Sequence, residues 1–262
     1  MSIELRADQI DAIMRLESGK ILCGGVGSGK SRTALAFYFC KICKGSLTVN
    51  GKGEVKPMKT PRDLYIITTA MKRDKMEWDD EAVPFAISRN SDASYCGVKM
   101  VVDSWNNIGK YLKVKDAFFI FDEQRVTGSG KWVKSFYKIA HQNQWILLSA
   151  TPGDVWMDYV PVFVANHFFT NKTDFVRKHV VWRPNITFPM VDHYIGTNRL
   201  ERMRDNILVK MDYEHKVDTR KTNIRVDYDA VKYRFLMKER MNPETGEPFD
   251  TAAQLFYELR KV

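Results

Sequence analysis

The stretch GGVGSGKS, from Gly24 to Ser31, decides how the rest of this sequence is interpreted. Its first and last glycines, with Lys30 and Ser31 behind them, match the pattern G-x-x-x-x-G-K-S. The apolar segment KILCG before it predicts a strand, and SRTALAFYFCKICK after it predicts a helix. In this context glycines let successive backbone N–H groups turn inward onto a phosphate. The stretch is therefore predicted to be a P-loop that binds a nucleotide.

The side chains of the P-loop have distinct predicted tasks on ATP and Mg²⁺. Lys30 is expected to bridge the β- and γ-phosphates, and the hydroxyl of Ser31 is expected to bind Mg²⁺. The N-terminus of the following helix adds the positive end of its dipole. The residues of this segment that are predicted to bind the nucleotide are Gly24, Gly25, Val26, Gly27, Ser28, Gly29, Lys30, Ser31 and Arg32.

An acidic pair after another apolar strand is predicted to complete the catalytic site. In FFIFDEQR, Asp122 ends the strand, so its carboxylate would lie beside the P-loop and hold Mg²⁺ through water. Glu123 follows and is expected to orient and deprotonate the attacking water. Acidic residues commonly end strands, so the pair is informative only together with the P-loop. The predicted catalytic residues are Lys30, Asp122 and Glu123, and the predicted metal ligands are Ser31 and Asp122.

The segment LLSATPG ends one more apolar strand and offers a third element of the site. The hydroxyls of Ser149 and Thr151 can contact the Asp-Glu segment and sense the γ-phosphate. We therefore predict that Ser149, Ala150 and Thr151 couple the nucleotide state to the rest of the molecule. The alternative is an ordinary strand-ending turn before Pro152, which the segment favours when it is considered alone.

The fold class follows from apolar runs that alternate with helical patterns. LYIITT, KMVVD, FFIFDE and WILLSA are short and apolar on both faces, which predicts a mainly parallel sheet covered by helices on both sides. The glycine- and lysine-rich segment GSLTVNGKGEVKPMKTPRD predicts a loop. Because it leads into the strand at Leu64, we expect it at the edge where strands begin, with its lysines poorly placed for ATP.

The character of the sequence changes after about Phe169. The segment NRLERMRDNILVKM predicts a helix in which Asn198 and Glu201 have the spacing of a capping box. TNIRVDYD predicts a strand, and two helical stretches flank a turn at NPETGEPFD. We therefore predict an ATP-binding α/β domain at residues 1–170 and a mostly helical extension at residues 171–262.

Composition bounds the partners and the location of the protein. The chain has 262 residues, a net charge of +9 and a pI near 9.3. This charge suits a polyanion such as nucleic acid, although a basic surface without a partner explains it equally well. No apolar run is long enough for a membrane helix, and the start lacks a signal peptide, so we predict a cytoplasmic protein with no membrane partner. Four cysteines and scattered histidines predict neither a disulfide framework nor a structural metal.

The order of the motifs resembles the first motor lobe of a superfamily 2 helicase. GGVGSGKS, IITTA, VVDSW, FDEQR and LLSAT follow one another as in that lobe, and residues 6–9 precede them. The sequence is most similar to the Swi/Snf-type DEAD/DEAH-like helicases carried by phages, including at MKRDKMEWDDE, DFVRKHV, RPNITFPM and NPETGEPF. The resemblance covers essentially the whole chain. It implies a three-layer RecA-like fold, a bacterial or phage-infected host cell, and ATP hydrolysis coupled to movement along DNA, with RNA left open.

The resemblance also implies roles for residues outside the P-loop. Gln9 would read adenine, since an amide can pair with N6 and N7 together, although a helix-surface glutamine is the alternative. The residues implied to touch the nucleic-acid backbone are Thr68, Thr69, Ala70, Lys72, Arg73, Asp103 and Ser104. The ring of Trp105 is expected to cap the core instead. Arg125 departs from the family, which carries His or Asp there, and weakens the implied link to Ser149–Thr151.

A larger departure is the arginine-bearing segment of the second lobe, Q-x-x-G-R-x-x-R. It is not found between Thr151 and Val262, and neither is a second series of apolar strands. The resemblance therefore implies an isolated first lobe, either a piece of a longer protein or a separately encoded one. Its partner would be a second RecA-like lobe in cis or in trans. Two alternatives stay open: a non-catalytic module that binds nucleotide or DNA, and a P-loop kinase, which the strand-end motifs disfavour.

Overall fold

The fold is described from a computed structural model that covers residues 1–122, 126–184, 189–213, 227–249 and 251–261. Its helices are α1 (Ala7–Arg15), α2 (Lys30–Phe37), α3 (Ala70–Asp74), α4 (Glu77–Ala82), α5 (Lys131–Ala140), α6 (Trp156–Ala165), α7 (Lys172–His179), α8 (Thr197–Ile207), α9 (Ala230–Glu239) and α10 (Ala252–Leu259). Its strands are β1 (Ser2–Ile3), β2 (Ile21–Cys23), β3 (Thr48–Val49), β4 (Leu64–Thr68), β5 (Met100–Ser104), β6 (Phe118–Asp122), β7 (Gln144–Ser149), β8 (Val180–Trp182), β9 (Val191–Tyr194) and β10 (Leu208–Lys210).

A six-stranded sheet forms the centre of the molecule, in the order β10-β2-β7-β6-β4-β5. Every neighbouring pair in it runs parallel, as the all-apolar runs predict. Parallel neighbours need crossover connections, which helices supply on both faces. The predicted three-layer α/β architecture with a mainly parallel sheet is therefore confirmed.

Strand β6 shows how one apolar run fills two cores. All five of its residues are buried, and they alternate between the two faces of the sheet. On one face Phe118 packs against Phe37, with ring centroids 5.9 Å apart. On the other face Phe121 meets Phe136 edge-on at 5.0 Å. Because each buried aromatic ring contributes about 1.5–3 kcal/mol, this strand is held firmly and its last residue, Asp122, is fixed with it.

The segment NRLERMRDNILVKM is not the single helix that its pattern predicts. Helix α8 begins at Thr197 behind Gly196, whose φ of +65° is the left-handed conformation that glycine adopts easily. Asn198 therefore lies inside the helix, and the predicted capping box is wrong. The helix ends at Ile207, after which β10 pairs with β2 at the edge of the central sheet. Burial of Val209 in the core outweighs the helical continuation.

The glycine- and lysine-rich segment does not stay at the edge where strands begin. Its residues Thr48–Val49 pair with β1, so the segment is not wholly a loop. The amide of Asn50 accepts a hydrogen bond from the backbone N of Leu5 at 2.8 Å and donates one to its O at 2.7 Å. This pair of bonds draws the segment toward α1 and the P-loop. Asn50 therefore lies at the cavity beside the P-loop, whereas the described residues that line this cavity include no lysine, and the poor placement of the segment's lysines for ATP stays a prediction.

The chain divides into two compact units, residues 1–215 and 216–262. In the second unit α9 and α10 flank the turn at NPETGEPFD, as predicted, and the structure adds an antiparallel bridge between Met241 and Pro248. The predicted strand TNIRVDYD lies mostly outside the described residues. A boundary at residue 170 remains a prediction, while α8 and β10 belong to the first unit. Within the described segments, no helix has the length and apolar character needed to cross a bilayer.

Candidate functional site

Three of the predicted motifs meet at the carboxyl ends of neighbouring strands. The P-loop follows β2, Ser149 ends β7, and Asp122 ends β6, which are adjacent in the sheet. Cys23 is in register with Ser149, and Asp122 with Leu148. The backbone N of Gly24 donates to the O of Ser149 at 3.2 Å, which ties the first motif to the third. Parallel pairing thus assembles a site from segments far apart in the chain.

Two glycines of the P-loop are closely packed against neighbouring side chains. Gly29 caps α2 with a φ of +77°, and a Cβ there would lie 2.5 Å from Nε2 of Gln9. A Cβ on Gly24 would lie 2.6 Å from Oγ of Ser28. Between these two fixed points the backbone of Gly25, Val26 and Gly27 is exposed. The loop therefore presents open backbone around a tightly packed base.

The Lys30 side chain folds onto its own loop. Its Nζ donates to the O of Gly24 at 2.7 Å and to the O of Gly25 at 2.8 Å. Carbonyl dipoles satisfy the ammonium here, and a phosphate would compete with them for it. The next residue, Ser31, is partly buried and lines a cleft of about 340 Å³ together with Lys72 and Trp78.

Asp122 is completely buried at the end of β6. Its Oδ2 accepts hydrogen bonds from Thr68 Oγ1 at 2.9 Å, Lys72 Nζ at 3.1 Å and Trp78 Nε1 at 3.1 Å. Charge-assisted bonds of this kind stabilise the ionised carboxylate in a buried position. The arrangement keeps a positive charge, that of Lys72, at the carboxylate predicted to hold Mg²⁺.

The ring of Trp105 lies in the core, as the sequence suggested. It is buried against Phe121, and its Nε1 donates to the backbone O of Asp122 at 3.0 Å. Two tryptophans thus reach Asp122 from different elements, Trp78 at the carboxylate and Trp105 at the backbone. Trp78 lies in MKRDKMEWDDE, one of the segments that carry the family resemblance, and the resemblance implies no role for it.

Gln9 is almost completely buried, and both ends of its amide contact the chain. Its Oε1 accepts from the backbone N of Arg6 at 2.9 Å, and its Nε2 donates to the O of Gly29 at 3.3 Å. Arg6 adds a bond from Nη2 to the O of Ser28 at 2.6 Å, and its guanidinium lies 4.3 Å from the ring centroid of Tyr213. Helix α1 is therefore tied to the P-loop, and adenine reading by Gln9 stays a prediction.

A cavity of about 700 Å³ opens beside these contacts. The residues that line it are Glu4, Leu5, Arg6, Gln9, Gly27, Gly29, Arg32, Asn50 and Glu81. Arg32, a predicted nucleotide ligand, donates from Nε to Oε2 of Glu81 at 3.1 Å. Sequence reasoning missed Asn50 and Glu81. The only signal for Asn50 was the turn-forming Asn-Gly pair, which says nothing about the cavity.

Most residues implied to touch nucleic acid are turned inward at the ends of β4 and β5. Thr68 is fully buried, and its hydroxyl is bound to Asp122. Thr69 caps α3 by accepting from the backbone N of Lys72 at 3.3 Å. Lys72 itself points to Asp122, and of this group only Ala70 is exposed. The Thr68 side chain is thus turned toward Asp122, and contact of this segment with nucleic acid stays a prediction.

Asp103 is the centre of a second polar network. Its carboxylate accepts from Asn107 Nδ2 at 2.8 Å, Tyr111 Oη at 2.7 Å and Arg73 Nη1 at 3.3 Å, and Ser104 beside it is buried. Burial alone would raise the pKa of Asp103, but hydrogen bonds from Asn107, Tyr111, the backbone N of Ser104 and Arg73 bring it down to about 2. The expected contact residues Arg73, Asp103 and Ser104 thus hold one another.

The predicted coupling segment forms a turn at the end of β7. The Oγ of buried Ser149 accepts from the backbone N of Thr151 at 3.1 Å, and Ala150 and Thr151 are exposed. This geometry matches the strand-ending turn that was the alternative, and a role in coupling stays a prediction. The predictions for Glu123 and Arg125 lie outside the described residues.

Comparison with known proteins bears on the fold. No protein-family model and no curated protein matches the chain. Among solved structures it is similar to the Sulfolobus solfataricus SWI2/SNF2 ATPase core in complex with dsDNA, with 13% identity, 79% of this chain and 44% of that chain covered, and a TM-score of 0.56. The Pyrococcus furiosus Hef helicase domain matches at 15% identity over 67% of this chain and 40% of that chain, but its TM-score of 0.42 is too low to carry an argument.

The chain spans less than half the length of either of these structures. At such low identity the likeness establishes architecture and leaves activity to the site itself. The resemblance noted in the sequence is confirmed at the level of fold: over most of its length, the chain has the RecA-like architecture of the SWI2/SNF2 ATPase core.

Proposed function

We propose that this chain is the ATP-binding first motor lobe of a DNA helicase or translocase. Joined to a second RecA-like lobe, it would couple ATP hydrolysis to movement along nucleic acid. The observation that carries the proposal is the meeting of the P-loop, Asp122 and Ser149 at the ends of three adjacent strands. The fold shared with a SWI2/SNF2 ATPase core adds support.

The residues present fit ATP and Mg²⁺. The P-loop offers exposed backbone between Gly24 and Gly29, two glycines that are closely packed. Among the described residues, the buried Oγ of Ser28 has no hydrogen-bond partner, so the loop holds an unused polar group. Asp122 already accepts a cation at 3.1 Å, the Nζ of Lys72. A carboxylate oxygen is a hard ligand of the kind that Mg²⁺ prefers, and Lys72 would share or release it when the ion binds.

Each residue of the site would have a separate task in ATP hydrolysis. Lys30 leaves the carbonyls of Gly24 and Gly25 and donates to phosphate oxygens, a local exchange of one acceptor for another. Ser31 and Asp122 would hold Mg²⁺, and the buried position of Asp122 on β6 orients its carboxylate. Bound Mg²⁺ would supply positive charge against the charge that develops on the phosphate oxygens. Glu123, next along the chain, is proposed as the residue that positions and deprotonates the water.

The second lobe has a specific catalytic purpose in this proposal. An arginine that faces the γ-phosphate from a partner is worth about 10³–10⁵ in rate in related nucleotide hydrolases. The first lobe alone would therefore bind ATP and hydrolyse it very slowly, with little stimulation by DNA. Movement would follow from opening and closing of the two lobes around the nucleotide.

A non-catalytic module that binds nucleotide or DNA is the second candidate. The salt bridge between Lys72 and Asp122 favours it, because a lysine at 3.1 Å competes with Mg²⁺ for the carboxylate. In a motor lobe this lysine must move or share the carboxylate. In a regulatory module it would stay in place.

Turnover of the 262-residue chain separates the two candidates. We expect slow ATP hydrolysis with saturating DNA, a large increase when a second lobe is supplied in cis or in trans, and loss of that increase in Glu123→Gln without loss of ATP binding. Brisk turnover by the chain alone, abolished by Glu123→Gln, would contradict the half-motor assignment. Failure of any second lobe to stimulate turnover, with ATP binding intact, would favour the non-catalytic module.

A further inference from the structure

A lysine-lined cleft of about 420 Å³ lies between the turn Trp105–Tyr111 and helix α5. Its cationic residues are Lys110, Lys131, Lys134 and Lys138, and no acidic side chain is among the described residues that line it. We propose that this lysine cleft binds the sugar-phosphate backbone of DNA. The inference rests on the proposed function, which makes DNA the partner, and it names the surface that contacts it.

The lysines of α5 face outward together because the opposite side of the helix is locked in the core. Lys131, Lys134 and Lys138 follow one another at spacings of three and four residues, which places them on one helix face. Val133, Phe136 and Ile139 are buried on the other face. Phe136 packs edge-on against a tryptophan of β7 at 5.0 Å. Rotation of the lysine face away from solvent would cost this packing.

The length of the lysine face suits a phosphate chain. Seven residues of helix rise about 10 Å, and one nucleic-acid strand rises about 3.4 Å per nucleotide, so the face spans roughly three phosphates. All three α5 lysines are exposed. Like charges so close together repel one another, and a polyanion relieves that repulsion while it releases counterions.

The opposite wall of the cleft is held rigid from behind. Asn107 donates to Oδ1 of Asp103 at 2.8 Å, which fixes the turn to β5. Lys110 lies on the same wall, where its Nζ is 3.7 Å from Oδ2 of Asp103 and its side chain is 63% exposed. Asn106 is exposed and adds an amide donor. The cleft therefore has cations on two walls that come from separate elements.

The chemistry of the wall residues favours backbone contact over base reading. Among the described residues that line the cleft, the cations are lysines, which act as point charges on flexible stems, whereas bidentate reading of guanine uses the planar fork of arginine. Phosphate contacts of this kind position a protein on DNA without sequence preference. Lys72 and Arg73, the cations expected to do this from the family resemblance, are engaged with Asp122 and Asp103. The exposed lysines of α5 lie in the cleft instead.

A matched pair of triple variants tests the proposal. Lys131→Gln, Lys134→Gln and Lys138→Gln remove the α5 face, and glutamine has a helix propensity close to that of lysine. Lys52→Gln, Lys56→Gln and Lys59→Gln remove the same charge from exposed positions of the loop before β4. Binding to a labelled mixed-sequence duplex is measured by fluorescence anisotropy between about 50 and 200 mM salt, the range in which phosphate contacts dominate.

We expect the α5 variant to bind at least tenfold more weakly at the lowest salt, with a salt slope shallower by about 2–3, while the loop variant keeps the wild-type slope. Equal losses in both variants would overturn the proposal, since only net charge would then matter. Absence of wild-type DNA binding would also overturn it. Binding to poly-glutamate is measured in the same way. If the α5 variant loses binding to poly-glutamate but retains binding to DNA, the cleft would be assigned to an acidic protein instead.

The proposed function is tested separately by ATP binding and turnover at the P-loop. None of the three substituted α5 residues lines the P-loop cavity. We expect the affinity of the α5 variant for ATP to equal that of the wild type. A negative DNA-binding result for the lysine cleft would therefore not contradict the nucleotide site. A negative result for ATP binding at the P-loop would likewise not contradict the lysine cleft.

Discussion

The carboxyl edge of the central sheet has two halves. The ends of β2, β7 and β6 form the nucleotide half, and the ends of β4 and β5 form the β4–β5 half. The two differ in which polar groups are exposed. In the nucleotide half the backbone of Gly25, Val26 and Gly27 is exposed. In the β4–β5 half the polar side chains of Thr68 and Asp103 are buried and bound within the protein. One half thus exposes backbone to a ligand, whereas the other uses its polar groups to position its neighbours.

The two halves are joined at Asp122. Thr68 and Lys72, from β4 and α3, both reach its carboxylate, although it belongs to the nucleotide half. A change at the Asp122 carboxylate therefore acts directly on α3, which carries Lys72. Residues next to a motif can therefore act on the site by holding the carboxylate of Asp122, without contacting a ligand themselves. The following variants test whether the two halves differ in this way.

The largest effect is expected in the nucleotide half, at Gly29. Alanine there adds a Cβ 2.5 Å from Nε2 of Gln9 at a φ of +77°, whereas Gly128 has a φ of +78° and open space around it. Left-handed strain of about 1–2 kcal/mol applies to both variants, and overpacking adds about 1–3 kcal/mol at Gly29. Urea unfolding should show that Gly29→Ala is less stable than Gly128→Ala, and calorimetry should show that Gly29→Ala no longer binds ATP. Equal behaviour of the two variants would mean that the loop base is not tightly packed.

Lys72 tests the junction between the halves. Lys72→Met removes the cation that lies 3.1 Å from the buried Asp122 carboxylate, which should cost about 3 kcal/mol of unfolding free energy, near the low end for a broken buried pair. Mg²⁺ should restore part of this stability because it supplies the missing charge. Lys75→Met, at an exposed position of the same segment, is the control and should change little. Thermal unfolding with and without Mg²⁺ is the measurement. If Lys72→Met is as stable as the wild type, the contact at Asp122 does not couple the two halves.

Asp103 tests the β4–β5 half through pH. Its pKa is lowered from 3.8 to about 2, so its ionised form stabilises the folded state above pH 4, and that contribution is lost as pH falls toward 2. The difference corresponds to about 2 kcal/mol. Asp103→Asn should be less stable than the wild type at pH 6, and the gap should close near pH 2. A gap that is independent of pH would show that the carboxylate is not stabilised by its charge.

The sequence predicts well what depends on local pattern. Apolar runs that are buried on both faces identified β4, β5, β6 and β7, and glycine spacing identified the P-loop. The contact of Lys72 with Asp122 joins residues 50 apart in the chain, and that of Asn50 with Leu5 joins residues 45 apart. Such contacts depend on how the helices and loops pack, which no local pattern records. β10 was missed for a related reason, because three residues are too few to show a period.

The smallest effect should separate the two tryptophans that reach Asp122. Trp78→Phe removes a donor to the charged carboxylate, and Trp105→Phe removes a donor to the neutral backbone O. Hydrogen bonds to charged groups contribute about 1.5–3 kcal/mol and neutral ones about 0.5–1.5, while both variants lose similar ring volume. Trp78→Phe should therefore be about 1 kcal/mol less stable in urea unfolding.

Of these two variants, only Trp78→Phe should also alter the Mg²⁺ dependence of ATP binding, because Trp78 donates to the carboxylate oxygen that Lys72 contacts and Trp105 does not. Calorimetric titration of ATP at several Mg²⁺ concentrations measures this. If Trp105→Phe shifts that dependence equally, the position of Asp122 is set by its strand rather than by its side-chain partners, and the β4–β5 half would act on the nucleotide half through the backbone alone.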